Sequence, residues 1–235
     1  MSHCCQVHVK LTELLNMLST EQAKIMLSLQ NSMNTKVDKN WVEARYPYLR
    51  AVAIEGAEAI EHHGWKWWKK QDKDLPQLQM ELIDIWHFVL SEILLRSSGS
   101  DKAALEVLQE ALSLANDQNS INFDQQSYEI EKIDLLGKLE LLIAVSVSRR
   151  IEIALFAAIM ADCDLNWTEL FRQYVGKNVL NMFRQDNGYK EGTYTKVWNG
   201  REDNEYLVEI IHKLDPASAE FKEEVYSELA AAYPD

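Results

Sequence analysis

Between Pro76 and Pro216 the sequence contains no proline, and the whole 235-residue chain holds only 4 prolines and 8 glycines. These are the residues that break helices and close tight turns, so long stretches have little to stop a helix once it starts. A β-sandwich, a propeller or a glycine-fingered α/β fold needs many more turn-formers. The expected fold is therefore all-α, a compact multi-helix bundle. The length suits one domain with a substantial core, and 47% hydrophobic with 26% charged residues excludes wholesale disorder.

Hydrophobic spacing and capping residues divide the chain. A first helical region covers roughly Leu11 to Asn34, and Ser19 with Gln22 reads as a capping box that splits it. A helix is expected from about Tyr48 to His63, ended by Gly64. Asp74 caps the next, with Pro76 in its first turn, Gln77 at the box position, and an end near Arg96. After the break at Ser97 to Ser100 come a shorter helix near Lys102 to Ala115, a polar loop from Asn116 to Ser127, and a long apolar helix from Tyr128 to Ala161. Asn166 with Glu169 caps a helix reaching about Phe183. Asp186 to Asp203 holds three of the eight glycines and two Asn-Gly pairs, which predicts an irregular loop with a short hairpin. Asp215-Pro216 reads as the start of a last helix. Without repeats or low-complexity linkers, the economical reading is one domain over residues 1–235. Its helical core spans roughly 11–185, a substrate loop 186–204 and C-terminal helices 205–232.

The charge balance narrows the partners. With 24 basic and 37 acidic residues the net charge is −13, poorly suited to wrapping duplex DNA through lysine–phosphate contacts. It leaves room for a small phosphorylated ligand on a local basic cluster. Cys4, Cys5 and Cys163 make no disulfide framework and read as reduced thiols of a cytoplasmic protein. The longest apolar stretch, Leu139 to Leu155, is interrupted by Glu140, Arg149, Arg150 and Glu152, so no membrane span is expected.

The most informative chemistry lies in two acid pairs. Glu55 and Glu58 are three residues apart, which puts both on one helical face about 5–6 Å apart. Glu81 and Asp84 repeat that spacing inside Leu82-Ile83-Asp84-Ile85-Trp86-His87-Phe88-Val89-Leu90, a segment apolar nearly all round. Asp84, His87 and Ser91 fall on one polar stripe. Buried carboxylates must be neutralised by a cation or by partners. Four of them from two facing helices would make an oxygen-rich site suited to Mg²⁺ or Mn²⁺ rather than Zn²⁺. In so acidic a chain such pairs also arise on solvated faces, as Glu220 with Glu223 shows.

A second cluster is basic. Lys177, Arg184, Lys190, Lys196 and Arg201 are interleaved with Asn178, Asn181, Asn187, Tyr189 and Tyr194. On a glycine-containing loop these donors suit phosphate oxygens; the other reading is a solvated loop that balances an acidic body. Joined to a carboxylate-held Mg²⁺, the cluster suggests a nucleotide polyphosphate bound between metal and cations.

Ile54-Glu55-Gly56-Ala57-Glu58, Trp65-Lys66-Trp67-Trp68-Lys69 and Glu81-Leu82-Ile83-Asp84-Ile85-Trp86-His87-Phe88 resemble the dimeric, all-α dUTPases of the all-α nucleoside-triphosphate pyrophosphatases, whose signature is ExxE followed by ExxD. The segments Lys177 to Lys190 and Tyr194 to Asn204 are similar to that family's phosphate-binding motifs. The resemblance covers about Leu27 to Leu95 and Asn166 to Leu207 and leaves Arg96 to Leu165 without assigned motifs. It implies hydrolysis of dUTP, and of dUDP, to dUMP by a homodimer, which would keep uracil out of DNA. It implies Mg²⁺ ligation by Glu55, Glu58, Glu81 and Asp84, with Glu55 or Glu58 orienting the attacking water. It implies phosphate contacts from Lys177, Arg184, Tyr189, Lys190, Lys196 and Asn204.

By the same likeness Gln30 and Asn34 would present amides to the uracil edge, with Trp65, His87 and Asn181 around base and sugar. Trp67 and Trp68 read as core or interface packing, and His62 and His63 as solvent-facing. Three alternatives stay open: a related pyrophosphatase preferring another base such as dCTP, a di-iron carboxylate bundle suggested by Asp84-x-x-His87, and a helical scaffold with incidental acid pairs. The second needs another acid-x-x-His, and Glu58 with His62 has the wrong spacing.

Overall fold

The computed structural model describes residues 18–216, 218 and 220–234. The expectations for Leu11 to Met17 and for Cys4 and Cys5 lie outside the described residues. Among those residues ten α-helices carry the fold: α1 (Thr20–Val37), α2 (Trp41–Ala44), α3 (Tyr48–His63), α4 (Leu75–Arg96), α5 (Asp101–Ala115), α6 (Leu135–Val147), α7 (Ile153–Asp162), α8 (Trp167–Asp186), α9 (Asp203–Lys213) and α10 (Phe221–Ala232). Two small antiparallel hairpins accompany them, β1 (Ser120–Phe123) with β2 (Gln126–Glu129) and β3 (Val197–Trp198) with β4 (Arg201–Glu202). The all-α expectation is borne out. No helix of the described residues is long and apolar enough to cross a membrane.

Local chemistry sets the helix starts. The Ser19 hydroxyl accepts from Gln22 N (3.2 Å) while Gln22 Oε1 accepts from Ser19 N (3.1 Å), completing the capping box at α1. Asp74 accepts from Gln77 N at 3.3 Å and Asn166 from Glu169 N at 2.9 Å, starting α4 and α8 where their sequences place them. Asn199 and Gly200 both have positive φ (49° and 85°), the turn that an Asn-Gly hairpin requires.

Three segments differ from expectation. Asn116 to Ser127 is not simply a loop, because Ser120↔Glu129 through Phe123↔Gln126 pair around Asp124 and Gln125, both left-handed. Tyr128 to Ala161 is not one helix but β2, a 3₁₀ turn (Ile130–Lys132), α6 and α7. The chain is stopped at Ser148–Glu152 by tertiary bonds: Arg149 takes φ 65°, its carbonyl accepts from Arg96, and Arg150 donates to Asn122 O (2.6 Å) and pairs with Glu152. Asp215-Pro216 does not open the last helix, which begins at Phe221.

One buried apolar cluster runs from Leu18 to Leu229. The most extensive helix contact is α3 on α4, α6 backs α3, and α1 and α8 flank α4. Gly56 makes the α3–α6 approach possible, since a Cβ there would lie 2.9 Å from Ile143 Cγ1. Behind α4, Trp86 is fully buried, stacked on Phe156 (5.1 Å, 14°) and edge-on to Trp167. The middle segment, through Phe156 of α7, thus packs on the apolar side of α4, whose polar stripe meets α1 and α8.

Candidate active site

Glu55 on α3 with Glu81 and Asp84 on α4 form a three-carboxylate group whose oxygens lie within 4.8 Å of one another. The i,i+3 spacing of Glu81 and Asp84 puts both on the face of α4 turned to α3. Burial, then Asp84, pushes the Glu55 carboxyl up to about 8 and the Glu81 carboxyl up to about 7, with Glu58 adding repulsion to both. Lys177 Nζ lies 3.1 Å from Asp84 Oδ2, with 7% of the lysine side chain exposed. A site with only oxygen donors and too little positive charge suits a hard divalent cation. Glu58 is exposed and lies outside the three-carboxylate group, though close enough to act on it. His62, expected to face solvent, instead sits 3.3 Å from Glu81 Oε1.

One turn beyond Asp84, a buried network joins α1, α4 and α8. Gln30 Oε1 accepts from Tyr174 Oη (2.8 Å) and lies 2.8 Å from His87 Nδ1, while Gln30 Nε2 donates to Asn34 Oδ1 at 2.9 Å. Ser91 Oγ approaches Asn34 Oδ1 (3.2 Å), and the His87 ring stacks on Tyr174 (4.1 Å, 23°). Burial drives His87 down to about 4, against the pull of Asp84, so the imidazole is neutral near pH 7. Because Gln30 Oε1 only accepts, Nδ1 carries the proton and Nε2 is a bare acceptor. Among the described residues that Nε2 has no partner and neither does Asn34 Nδ2, and the fully buried Asn178 amide, beside the Tyr174 hydroxyl, makes no well-formed hydrogen bond. Buried polar atoms left unpaired are costly unless something else is to pair with them.

A family model described as dUTPase matches residues 22–189. The chain belongs to the dUTPase family. The matched segment contains the carboxylate group and the amide network, and membership makes the protein a dUTP diphosphatase, as the resemblance implied. No curated protein matches the chain at a significant level.

The candidate phosphate residues of this dUTPase-family chain follow on along α8. Tyr174, Lys177, Asn178, Asn181 and Arg184 repeat at three- and four-residue steps and so share one helical face. Arg184 is forked onto the fully buried Asp203, with Nε–Oδ2 and Nη2–Oδ1 both 2.8 Å, and also reaches Asn181 (3.0 Å) and Asn204 (3.5 Å). Tyr194 Oη donates to the same Asp203 carboxylate at 2.9 Å. Lys190 meets the Val37 carbonyl (3.4 Å), Lys196 pairs with Glu202 (3.1 Å), and Tyr189 is exposed. Arg201 is engaged by Glu205 and Glu209 instead.

Some sequence candidates stand elsewhere. Trp65 donates to Glu61 (2.7 Å) and packs against Trp67 and Trp68 rather than the amide network. Trp67 is 86% and Trp68 58% exposed, so neither is core. Gln30 uses its oxygen and one N–H inside the network, while the Asn34 amide nitrogen makes no hydrogen bond among the described residues. Asn178 was visible in the sequence only as one of several asparagines between cations; its complete burial with an unsatisfied amide is a fact of tertiary structure.

Proposed function

We propose that the enzyme hydrolyses dUTP, and dUDP, to dUMP with Mg²⁺ held by Glu55, Glu81 and Asp84 and reached by Glu58. The observation that carries this reading is the adjacency of Asp84 and His87 on α4, which joins a cation site to a set of unpaired base-reading groups. The uracil edge presents acceptor, donor, acceptor at O4, N3–H and O2. Asn34 Nδ2, His87 Nε2 and the Asn178 amide supply donor, acceptor and donor. Cytosine reverses two of these positions, so the buried groups would be left unpaired and cytosine rejected. Gln30, Tyr174 and Ser91 orient the readers, and Asn181 completes the wall toward the sugar. Trp65 closes that side if its loop turns inward with substrate.

When bound, the metal supplies charge neutralisation at phosphate oxygens and a more acidic water. Glu55 or Glu58 accepts the proton of the attacking water, a new P–O bond forms to a phosphorus of the α–β bridge, and the bridging P–O bond breaks, giving dUMP with pyrophosphate from dUTP or phosphate from dUDP. Lys177, Arg184, Tyr189, Lys190, Lys196 and Asn204 take up the negative charge of the phosphate chain. The family resemblance supports a homodimer acting on free deoxynucleotides in the cytoplasm.

The test is pyrophosphate release with Mg²⁺ from dUTP, dCTP, dTTP and UTP in parallel, with an EDTA control. Turnover of dUTP alone, abolished by EDTA, is expected. Preference for dCTP would remove the base assignment, and EDTA-resistant turnover would remove the metal assignment.

A further inference from the structure

We propose that α10 is a brace for the substrate loop, with Tyr233 as the positioning residue that sets its grip on the phosphate chain. The inference rests on the assignment of loop 186–204 to phosphate binding. Tyr226 lies on α10 and Tyr233 is the residue that caps its C-terminus, seven residues or about two turns further on, so both reach from the same side. They hold the loop at its start and at its middle. Tyr226 Oη donates to Asp186 Oδ2 at 3.0 Å, where Lys36 also pairs. The Tyr233 ring stacks on Tyr194 (5.3 Å, 11°) and stands edge-on to Phe183 and Trp198, each at 5.3 Å.

The hydrogen bonds single out Thr195. Its N–H donates to Tyr233 Oη at 3.0 Å, and its carbonyl accepts from Nε1 of the fully buried Trp198 at 2.7 Å. Both backbone groups of this exposed residue are therefore clamped. Thr195 lies between Tyr194, which bonds the Asp203 carboxylate that carries Arg184, and Lys196. Freeing Thr195 would let Tyr194 and Lys196 wander and loosen Arg184 through Asp203. Neither Tyr226 nor Tyr233 falls in the matched residues 22–189, so the brace is a property of this chain's C-terminal part.

A brace of this kind acts on phosphates and not on the base. The test is the affinity of the enzyme for a non-hydrolysable dUTP analogue and for dUMP, by calorimetry with Mg²⁺, in wild type, Y233A, Y233F and K196M. Losing the ring contacts and the hydrogen bond in Y233A should weaken the triphosphate analogue about tenfold and dUMP less than about twofold. Y233F, which keeps the ring and loses the acceptor, should show about a threefold loss for the triphosphate alone. Equal weakening of both nucleotides, or of neither, overturns the brace. If K196M lowers the triphosphate-to-dUMP ratio and Y233A does not, the inference fails alone; if K196M also leaves it unchanged, the loop assignment fails and the inference with it. Should Y233A not fold, Y233F decides, and an unchanged ratio overturns the proposal.

Discussion

Lys177 Nζ stands 3.1 Å from Asp84 Oδ2, a buried lysine of α8 against a carboxylate of α4. The contact links the cation site to the polar face of α8, because Lys177 shares that face with Tyr174, Asn178 and Asn181. Lys177 also eases the crowding at Glu81, after the hydrogen bond that Glu81 shares with Glu55.

K177M separates the two roles of that lysine. With the competing cation gone, Mg²⁺ should bind at least as tightly as in wild type, whereas dUTP should bind about tenfold more weakly through loss of a charge-assisted contact. Weaker Mg²⁺ binding measured by titration calorimetry would show that Lys177 supports the metal rather than the phosphates.

The metal-free enzyme should lose stability as pH rises. Glu55 and Glu81 are raised above the ordinary carboxylate value of 4.5, to about 8 and about 7, by burial and then by Asp84. The folded chain therefore binds more protons than the unfolded one across that range, and the contribution is lost as pH climbs through it. A cation takes the place of those protons, so the gain in Tm from Mg²⁺ should be larger at pH 8 than at pH 5. Scanning fluorimetry with EDTA or Mg²⁺ at both pH values checks this; an equal gain at the two would refute it.

E81Q should raise the Tm of the metal-free protein, because it removes one of three crowded carboxylates. In the same variant Mg²⁺ should no longer raise Tm, and turnover should fall by at least about a hundredfold. A variant that still responds to Mg²⁺ would place the metal elsewhere.

N178L should keep the fold and lose the substrate. Among the described residues the Asn178 amide makes no well-formed hydrogen bond, though it lies beside the Tyr174 hydroxyl, so an apolar side chain of similar size should leave Tm nearly unchanged or higher. KM for dUTP should rise about tenfold, with the dUTP-over-dCTP preference reduced. A fall in Tm with kinetics intact would make Asn178 structural.

D203N should destabilise the protein by about 3 kcal/mol, since it leaves the Arg184 guanidinium without its forked partner at a fully buried position. Urea denaturation measures this directly; a loss under about 1 kcal/mol would show that Asn181 and Asn204 suffice to hold Arg184.

Much of the site was legible in local spacing. The stripe Asp84, His87, Ser91 on an otherwise apolar helix announced a polar face against protein, and that face meets Lys177, Gln30 and Asn34. That Glu81 and Asp84 share a face was readable for the same reason: an i,i+3 period on one helix says which groups lie together. The caps at Ser19, Asp74 and Asn166 were readable because the competing hydrogen bonds lie within one turn.

What failed to show was whatever depends on a neighbour distant in sequence. Glu58 shares the spacing of Glu55 but lies exposed outside the tight group, and His62 turns onto Glu81, a residue of another helix. The stop at Ser148–Glu152 needed carbonyl contacts from Arg96 and Arg150 that local propensity does not contain.

By itself the sequence determined an all-helical chain, the start points of its main helices and the two acid pairs, because turn scarcity, capping and the helical period are local. The tertiary structure alone decided which carboxylates crowd, which amides are left unpaired and which tyrosines hold the substrate loop. Desolvation and pairing arise only when helices pack, and it is packing that moves a carboxyl to about 8, an imidazole to about 4 and a surface tyrosine onto the backbone of Thr195.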